Sequence, residues 1–485
     1  MSTPRVMISA DHGLAVVYFL QSDVVARLLA AGVEVVLLTD DALTQRLAAR
    51  FGQPGLIFEG LRLAQVRRYF HEENYRLQWW LQFFRRAGAS NRINLEAVES
   101  YIRQVEAEAH GRRKALMPAA KAVVGVLRRS RAARQALVRL QRRFTPHLYD
   151  DLFARYRPQM VIAATPGWRD DRYLLRDAAA AGIPTAAVIV GWDNSSSYSL
   201  PGAPVDHITC WSEIQKEELV LGSDWQPERV HIGGIPSYDG YFLRRWEMPR
   251  EDYFRLHGLD PERKLIAYAA SFITFSPNIQ NVEALARLVA EDALDYPAQL
   301  LIRLHPNHFL ENVPRFTRER EQIMALAREL PHVHVVEPVP LGGSLGYYSG
   351  EDMPEKSSMM RHADVFTTVY STMVVETAIH DTPVVSVCID HPTGWEDNFY
   401  LPLSQIGGWP THSRFRASGA GKVVYDQASL REALNAYLHQ PQAEAEARRA
   451  FIRRECTFTD GSAGRRTAAF FLDLLGISDG KAPHS

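Results

Sequence analysis

Cysteine and long apolar runs are scarce in this sequence of 485 residues, and each scarcity excludes a class of protein. The three cysteines, Cys210, Cys388 and Cys456, lie far apart and match neither a disulfide framework nor a zinc pattern, which predicts reduced thiols. No apolar run approaches the roughly 18 residues that span a bilayer. The opening residues, MSTPRVMISADHG, contain no apolar signal core. We therefore expect a cytoplasmic protein.

Metal-ligand patterns are lacking as well. No spacing of His, Cys and Asp residues resembles a metal site, and His305 and His308 lie on a proline turn whose geometry suits a metal poorly. We predict that the protein uses neither a metal nor a bound cofactor.

Positive charge is concentrated in one segment. The formal net charge of the chain is −1, yet residues 61–150 contain 19 Lys and Arg against 7 Asp and Glu. Apolar residues recur there at helical spacing with arginines on the other side, which predicts a basic helical insertion in the first domain. The apolar series is Val123, Val126, Leu127, Ala133, Leu137 and Leu140.

This insertion allows three interpretations. It could be a solvated helical element packed on its domain, a surface that touches anionic lipid at the inner face of a membrane, or a basic wall for a polyanionic acceptor. The segment has no zinc, RNA-stacking or helix-turn-helix pattern, so we expect no specific nucleic-acid partner.

Short, continuously apolar segments alternate with helical patterns in two series. RVMISA and VEVVLLT open the first series, and KLIAYAAS opens the second after a charged, aromatic stretch. Continuous apolarity indicates strands buried on both faces, as in a parallel sheet. We predict an α/β fold of two facing, doubly wound Rossmann-like domains, residues 1–240 and 241–460. A helix and tail over residues 461–485 could pack back on the first domain.

Candidate catalytic residues follow the first strand. Ligands of such sheets bind at the carboxyl ends of strands, and Asp11 and His12 occupy that position. A loop histidine there can act as a general base toward an acceptor hydroxyl, and Asp11 can orient the imidazole or serve as the base itself. A hydrogen-bonded histidine of structural importance alone is the alternative.

Two polar loops of the first half each contain an aromatic residue. The loop PGWRDDRY provides Trp168, Arg169 and Asp170, and the loop WDNSSSYS provides Trp192, Asp193 and Asn194. Exposed aromatic and polar side chains of this kind stack against and hydrogen-bond a sugar, so we predict acceptor binding. Ordinary turn chemistry also explains the Asp, Asn and Ser clusters.

The second half offers candidate donor-binding residues at strand ends. Ser271 ends the strand KLIAYAAS, and His305 and Asn307 end LIRLHPNH, where a rigid edge could hold a phosphate.

The segment VFTTVYSTMVVETAIHDTPVVSV places hydroxyls between a strand and a helix. Tyr370, Ser371 and Thr372 end the predicted strand, so Ser371 or Thr372 is the expected helix N-cap. Helix amino ends bind anions such as a pyrophosphate, and Glu376, four residues after Thr372, could accept hydrogen bonds from a ribose. A capping box without any ligand is the alternative interpretation.

These stretches resemble the donor-site pattern of GT-B fold glycosyltransferases. The residues that carry the resemblance are HPN, His305–Asn307, and YSTMVVETAIHDTPVV, residues 370–385. They are most similar to bacterial surface-polysaccharide transferases and to CDP-glycerol glycerophosphotransferases. HIGGIPSYD, residues 231–239, resembles the segment that enters the interdomain linker of that fold, and the hydrolysing UDP-N-acetylglucosamine 2-epimerases share it.

The resemblance implies a GT-B-like fold and a glycosyltransferase that moves a sugar from a nucleotide sugar to a surface-polysaccharide, lipid-linked or other anionic acceptor. It implies donor-phosphate contacts at Ser371 and Thr372, a ribose contact at Glu376, a pyrophosphate contact at His305, and His12 or Asp11 as the base. Basic side chains and helix dipoles commonly meet leaving-group charge in that fold, so no metal is expected.

Three alternatives remain open. The first is a UDP-N-acetylhexosamine 2-epimerase-like enzyme, although the Thr-Asp-Ser-Gly-Gly type of loop associated with those enzymes is absent. The others are a glycerophosphotransferase and a non-catalytic sugar-binding protein. The loop SADHG also lacks the glycine-rich run that many glycosyltransferases of this fold carry.

Overall fold

The computed structural model describes residues 3–271, 276–310, 312–343, 348–395 and 399–477. They divide into two compact units. The first contains residues 3–239, 341–343 and 456–477, and the second contains the described residues of 240–340 and 348–455. The C-terminal end of the predicted tail, residues 478–485, lies outside the described residues.

A seven-stranded parallel sheet forms the centre of the first unit, in the order β3-β2-β1-β4-β5-β6-β7. The strands are β1 (Arg5–Ser9), β2 (Glu34–Thr39), β3 (Leu56–Gly60), β4 (Met160–Ala163), β5 (Thr185–Val188), β6 (His207–Cys210) and β7 (Val230–Ile232). The helices of this part of the chain are α1 (Gly13–Leu20), α2 (Asp23–Ala30), α3 (Thr44–Phe51), α4 (Leu63–Glu72), α5 (Tyr75–Ala87), α6 (Glu96–Ala107), α7 (Gly111–Arg129), α8 (Arg131–Leu140), α9 (Asp150–Tyr156), α10 (Asp171–Ala180), α11 (Asn194–Ser197) and α12 (Glu213–Ser223).

A six-stranded parallel sheet forms the centre of the second unit, in the order β10-β9-β8-β11-β12-β13. The strands are β8 (Lys264–Ala269), β9 (Ala298–Arg303), β10 (Val333–Val336), β11 (Val365–Thr368), β12 (Val384–Val387) and β13 (Lys422–Val424). The helices along this part of the chain are α13 (Asp239–Phe242), α14 (Arg250–His257), α15 (Ile279–Ala290), α16 (Pro314–Glu329), α17 (Met353–His362), α18 (Met373–Ile379), α19 (Leu403–Ile406), α20 (Pro410–Ser418), α21 (Gln427–His439) and α22 (Ala445–Cys456).

Each sheet reverses its strand order once. In the first unit β1 lies between β2 and β4, with Ile8 beside Leu37 and Ile162. In the second unit β8 lies between β9 and β11. The crevice outside the carboxyl ends of such neighbouring strands is where open α/β sheets bind ligands. The loops after β1 and β4, and those after β8 and β11, therefore lie where a ligand is expected.

The degree of burial explains which strands the sequence pattern predicts. Strands β1, β2 and β8 are buried along almost their whole length, and each was predicted as an apolar run. Strand β3, at the sheet edge, has four half-buried residues out of five, and β13 has only three residues. The sequence interpretation omits both. It also omits α1, because GLAVVYFL is apolar on nearly every face and shows no helical period.

The predicted basic insertion is present, with α4 to α9 lying between β3 and β4. Its predicted apolar face is partly wrong. Val123, Val126 and Leu140 are 43%, 58% and 46% exposed, whereas Leu127 and Leu137 are buried. The buried face of α7 is formed instead by Met117, Ala120, Val124 and Leu127, since the first three pack in one cluster with residues of α5 and α6.

The last described helix, α23 (Ala463–Leu474), belongs to the first unit. It packs along α2, and Phe471 and Leu472 are fully buried in the cluster that contains the β1 residues Val6 and Ile8. Its amino end is held by Asp239, whose carboxylate accepts hydrogen bonds from the amides of Ala463 and Gly464 at 3.1 and 2.7 Å.

Candidate functional site

Asp11 and His12 form a hydrogen-bonded pair directly after β1. Asp11 Oδ1 lies 2.6 Å from His12 Nδ1, and both residues are buried, at 1% and 6% exposure. A carboxylate only accepts, so His12 donates its Nδ1 hydrogen and its Nε2 carries the free lone pair. His12 is also the N-cap of α1, in an extended conformation, which sets the ring at the start of that helix. The arrangement orients an imidazole whose outer nitrogen can accept a proton.

Arg169 joins this pair from the loop after β4. Its Nε donates to Asp11 Oδ2 at 3.0 Å, so the two carboxylate oxygens of Asp11 face an imidazole and a guanidinium. Burial opposes the charged form of Asp11, but attraction to His12 and Arg169 outweighs it and lowers the pKa of the carboxyl. Two residues predicted for different roles, base and acceptor contact, therefore lie in direct contact at the reversal of the sheet order.

The pKa of His12 is lowered, chiefly because burial disfavours the imidazolium and also because Arg169 repels it, although Asp11 acts in the other direction. The imidazole is therefore neutral at pH 7, the form that can act as a base. A second carboxyl, Asp171, accepts hydrogen bonds from the amide and hydroxyl of Thr165 at 2.9 Å each. Burial and the nearby Asp11 charge raise the pKa of Asp171 well above its usual range.

The two tryptophans predicted to stack on a sugar do not present exposed faces. Trp168 and Trp192 are 6% and 2% exposed. Trp168 stacks on Tyr198, with ring centroids 5.4 Å apart, and its indole N–H donates to the Leu200 carbonyl oxygen at 3.2 Å. The prediction of exposed aromatic platforms is therefore wrong, because large apolar rings in these loops are buried against neighbouring chain segments.

The polar residues of the same loops make local bonds. Asp193 accepts from the Ser197 hydroxyl at 2.8 Å, and Asn194 Oδ1 accepts from the Gly191 amide at 2.9 Å. Asp170 precedes α10 and pairs with Arg172 at 3.4 Å. These contacts match the alternative of turn chemistry, in which Asp and Asn side chains bond their own backbone.

In the second unit, the loop after β8 is held by Asn278. Its Oδ1 accepts from the Ser271 amide at 3.4 Å and its Nδ2 donates to the Ser271 carbonyl at 3.1 Å. Glu319 accepts from the Ile279 amide at 3.1 Å and from the Asn278 amide, so a carboxylate of the protein already occupies the amino end of α15. His308 Nδ1 accepts from the His305 amide at 3.3 Å, so its Nε2–H donates to the other Glu319 oxygen, 3.0 Å away.

His305 caps the short 3₁₀ helix Pro306–Phe309 after β9. Its Nδ1 accepts from the Asn307 amide at 3.1 Å, which places the hydrogen on Nε2. Burial, with repulsion from His308, Lys356 and Arg303, lowers the pKa of His305 to about 3. A neutral imidazole with Nε2–H can donate one hydrogen bond to a phosphate oxygen. Asn307 is 2% exposed, and its side-chain oxygen has no hydrogen-bond partner among the described residues.

In the turn after β11, the side chain of Tyr370 is buried, and the hydroxyl residues Ser371 and Thr372 follow it. Tyr370 has a positive φ of 39° and is 7% exposed. Its ring lies 4.0 Å from that of His412 and packs in an apolar cluster with Leu403 and Ile406. The ring of Tyr370, one of the predicted donor-binding residues, is therefore buried in this cluster, and its predicted role stays a prediction. Ser371 is half-buried.

The amino end of α18 is already bonded within this turn. Thr372 is the N-cap, as one of the two predicted candidates, but its own side chain does not cap. Ser371 Oγ accepts from the Met373 amide at 3.2 Å, and the Ser371 carbonyl accepts from the Val374 amide at 3.1 Å. The predicted free amides for a pyrophosphate are therefore not found at these two positions, and any donor contact here would come from the Ser371 and Thr372 hydroxyls.

Glu376 is the centre of a buried network that the sequence interpretation missed. Its Oε2 accepts from Lys356 Nζ at 2.5 Å and from the Tyr241 hydroxyl at 2.8 Å. Its Oε1 accepts from the Thr372 hydroxyl at 3.4 Å. Burial opposes the charge of Lys356, but the adjacent Glu376 carboxylate outweighs it and raises the pKa of the amine. One lysine among the residues PEKSSMM gives no sequence signal of such burial.

Among the residues that the structure describes, no group of three or more His, Cys, Asp or Glu side chains is arranged to hold a metal ion. Within the same residues no single helix is long and apolar enough to cross a membrane. Helices α1 and α2, which meet at an angle of 45°, are together long and apolar enough by length and composition alone.

Solved structures of very different sequence share the fold of this chain. The S. aureus MnaA–UDP structure matches with a TM-score of 0.53 at 12% identity, over 99% of each chain. The UDP-GlcNAc 2-epimerase from Neisseria meningitidis bound to UDP-GlcNAc matches with a TM-score of 0.52 at 12% identity, over 97% of this chain and 100% of the other. A glycosyltransferase from Rickettsia africae ESF-5 matches with a TM-score of 0.50 at 10% identity, over 99% and 100%.

Sequence comparison adds no relative: no protein-family model and no curated protein matches the chain. At 10–12% identity the structural likeness establishes the fold and leaves the reaction open. The predicted fold class, with two doubly wound Rossmann-like α/β units, is confirmed.

Proposed function

Because the chain has the GT-B-like fold of its structural neighbours, we propose that it is a nucleotide-sugar-dependent glycosyltransferase with His12 as its base. The observation that carries the proposal is the contact of Asp11 with both His12 and Arg169 at the reversal of the first sheet. Asp11 fixes the imidazole tautomer, and Arg169 keeps the carboxylate ionised. A histidine with only a structural role would not require a carboxylate partner that is itself held by an arginine.

The proposed reaction is an inverting transfer, in which His12 is the base. The acceptor hydroxyl oxygen bonds to the anomeric carbon as the bond from that carbon to the phosphate oxygen breaks. The hydroxyl proton moves to His12 Nε2, and the nucleoside diphosphate leaves with the electron pair of the broken bond. The imidazolium is then stabilised by the Asp11 carboxylate 2.6 Å away. General-base catalysis of this kind contributes about 10²–10⁴-fold.

We place the donor on the second unit. Ser371, Thr372 and the Nε2–H of His305 would hold the phosphates, with Ser271 and Asn307 in the neighbouring loops. Glu376 would accept from the ribose through Oε1, since Oε2 is already shared by Lys356 and Tyr241. Lys356 is already paired with Glu376, so hydrogen bonds from His305, Ser371 and Thr372 would meet the charge of the departing diphosphate without a metal.

We place the acceptor on the first unit. Arg169, Asp170, Asp193 and Asn194 remain the proposed contacts, now as polar side chains without the stacking platforms. The acceptor would be a surface-polysaccharide, lipid-linked or other anionic glycan.

Substitution at His12 tests the base. His12→Gln should lower kcat/KM for transfer by about 10²–10⁴-fold while the affinity for the nucleoside diphosphate is unchanged. His110→Gln, at an exposed position of the insertion, is the matched control. Donors would be screened by mass spectrometry for nucleotide release in the presence of candidate acceptors. A His12→Gln enzyme that keeps its activity would remove the proposed base.

Calorimetric titration with a panel of nucleoside diphosphates tests the donor site. Ser371→Ala should lower the affinity for the nucleoside diphosphate about tenfold, which is the effect of losing one hydrogen bond to a charged group. Glu321→Ala, on the exposed side of α16, should bind as the wild type does. Equal affinity in Ser371→Ala and wild type would move the donor elsewhere. Epimer formation from UDP-N-acetylhexosamine alone, with no acceptor present, would identify an epimerase instead.

We also propose that the insertion touches anionic lipid and holds the protein at the inner face of a membrane. Residues 111–143 contain eleven Lys and Arg and no Asp or Glu. Leu116, Val123 and Val126 are 51%, 43% and 58% exposed on α7, so the segment combines exposed apolar side chains with an excess of basic residues. Interfacial binding scales with both.

Liposome flotation with and without anionic lipid tests this surface. Val126→Glu should reduce binding to anionic vesicles, because it places a negative charge in the apolar stripe. Leu256→Glu, at 58% exposure on α14, is the control with an equal change at equal exposure. Absence of lipid-dependent binding in the wild type would leave a solvated helical insertion.

A further inference from the structure

Three arginines are buried close together in the first unit. Arg85 on α5 and Arg172 and Arg176 on α10 are 4%, 7% and 4% exposed. Among the described residues, a single ion pair serves these three side chains, from Arg172 to Asp170 at 3.4 Å, and the Asp170 side chain is 37% exposed. A buried cation without a counter-ion costs several kcal/mol. A cluster of three such cations therefore favours the binding of a compensating negative charge.

Carbonyl oxygens take many of the guanidinium hydrogens. Arg85 Nη1 donates to two carbonyl oxygens at 2.9 and 3.0 Å. Arg176 donates to those of Phe144 and Gly202 at 3.1 and 2.7 Å. A carbonyl dipole satisfies a hydrogen but leaves the net charge in place. Burial, together with repulsion from Arg172, lowers the pKa of Arg85 and of Arg176 to about 9, so both side chains remain charged at pH 7.

A small cavity lies against this cluster. Its volume is about 10 Å³, close to the space that one water-sized particle fills. The lining side chains are Gln78, Leu81, Gln82, Gln141, Phe144, Arg172 and Arg176.

Unpartnered hydrogen-bond donors line the cavity. Arg172 Nε and Gln82 Nε2 are buried and have no hydrogen-bond partner among the described residues. Arg85 Nε, one helical turn from Leu81, is in the same condition. Buried polar groups almost always have partners, and those left without one indicate a missing water or ion. Here the orphaned atoms are donors, and the three arginines outnumber the two nearby carboxylates, Asp170 and Asp177, so both observations favour an anion over water.

We propose that this cavity binds a monatomic anion, with chloride as the physiological candidate. The ion would accept from Arg172 Nε and Gln82 Nε2 and would offset the charge of the arginine cluster. Neither Asp11 nor His12 lines the cavity, and the inference does not depend on the proposed transfer reaction. It has one structural link to that pair: Arg172 Nη1 donates to the Arg169 carbonyl oxygen at 2.6 Å.

Thermal unfolding of the full chain tests the site. A ligand at free concentration c that binds the folded state stabilises it by RT ln(1 + c/Kd), so Tm rises with the logarithm of ligand concentration once this exceeds Kd. We expect a higher Tm in sodium chloride than in sodium gluconate at equal ionic strength, since gluconate is too large for the cavity. Arg172→Gln should weaken the apparent chloride affinity about tenfold or more. Arg139→Gln, an equal charge change at an exposed position of α8, should retain the full chloride effect.

A second variant guards against misfolding. Gln82→Leu keeps every arginine and removes one orphaned donor, so it should fold and bind chloride more weakly. The ³⁵Cl NMR line width reports the bound ion directly, and the excess width of the wild type should fall in both variants. Equal Tm in the two salts, or an excess line width that both variants retain, would overturn the proposal.

Discussion

Two buried arginine environments differ in how their charge is neutralised. Arg303, at the end of β9 in the second unit, donates to the carboxylates of Asp352 and Glu355. Burial opposes its charge, but attraction to these two carboxylates outweighs it and raises the pKa of Arg303. Arg85, in the first unit, donates to carbonyl oxygens, and burial lowers its pKa to about 9. The two side chains are equally buried, at 5% and 4% exposure.

Burial alone therefore does not decide the state of a cation in this molecule; the neighbouring carboxylate does. The second unit pairs its interior charges within the fold, as Lys356 with Glu376 also shows. The first unit leaves a cation cluster satisfied mainly by dipoles. A cation paired with a carboxylate is already neutralised within the fold. A cation that is bonded only to carbonyl oxygens keeps its net charge and can still attract an external anion.

The largest effect is expected at Arg303. Arg303→Met leaves Asp352 and Glu355 buried with uncompensated negative charge, and the free energy of unfolding should fall by about 3–5 kcal/mol. Urea unfolding, with hydrogen exchange of the β9 amides to identify the second unit, measures the loss. Arg328→Met, exposed on α16, should change stability by less than about 0.5 kcal/mol. A loss at Arg303 as small as that of the control would end the distinction between the two environments.

The Lys356–Glu376 pair should show a smaller, coupled effect. Lys356→Met leaves the Glu376 carboxylate without its cation and should cost about 3 kcal/mol. Adding Glu376→Gln should recover part of this loss, giving a coupling free energy of about 1–3 kcal/mol in a double-mutant cycle. Urea unfolding of the four proteins supplies the values. Strict additivity of the two single changes would mean that the pair is not coupled.

The buried carboxyl of Asp239 in the first unit should make the free energy of unfolding depend on pH. Burial raises the pKa of Asp239 from 3.8 to about 6, against the effect of the two amides that it accepts from. Between these values the folded protein keeps a proton that the unfolded chain has released, so the free energy of unfolding falls as pH rises from about 4 to about 6. This contribution is complete below the lower value and is lost above the upper one.

Asp239→Asn should remove that part of the slope, as urea midpoints across this pH range would show. Asp177 has its pKa raised to about 6 by burial as well, so the difference between variant and wild type is the quantity to compare. Asp150→Asn, exposed at the start of α9, is the control. A slope unchanged in Asp239→Asn would show that the carboxyl is not protonated in the folded state.

The smallest effect is expected at Arg85. Arg85→Met in chloride-free buffer removes two hydrogen bonds to carbonyl oxygens but also relieves the burial of an unpaired cation. These contributions oppose each other, and the free energy of unfolding should change by no more than about 1 kcal/mol. Urea unfolding beside Arg303→Met makes the comparison direct. A loss as large as that of Arg303→Met would show that dipoles hold a buried cation as firmly as carboxylates do.

The sequence by itself determined the fold class and the positions of the chemistry along the chain. Apolar runs identify strands buried on both faces, and the residues that follow them, such as Asp11, His12 and Ser371, are necessarily at the carboxyl ends of a parallel sheet. This works because burial and strand direction are local properties of the chain. The structure confirmed the fold, while the roles of these residues stay predictions.

Only the tertiary structure decided the partners of those residues. Arg169 meets Asp11 across 158 positions of sequence, and Lys356 meets Glu376 from a different helix. Trp168 and Trp192 are buried, although their loops read as exposed, and a stripe of α7 that reads as buried is exposed. Pairing and exposure depend on which surfaces pack together in three dimensions, and the spacing of residues along one segment does not specify that packing.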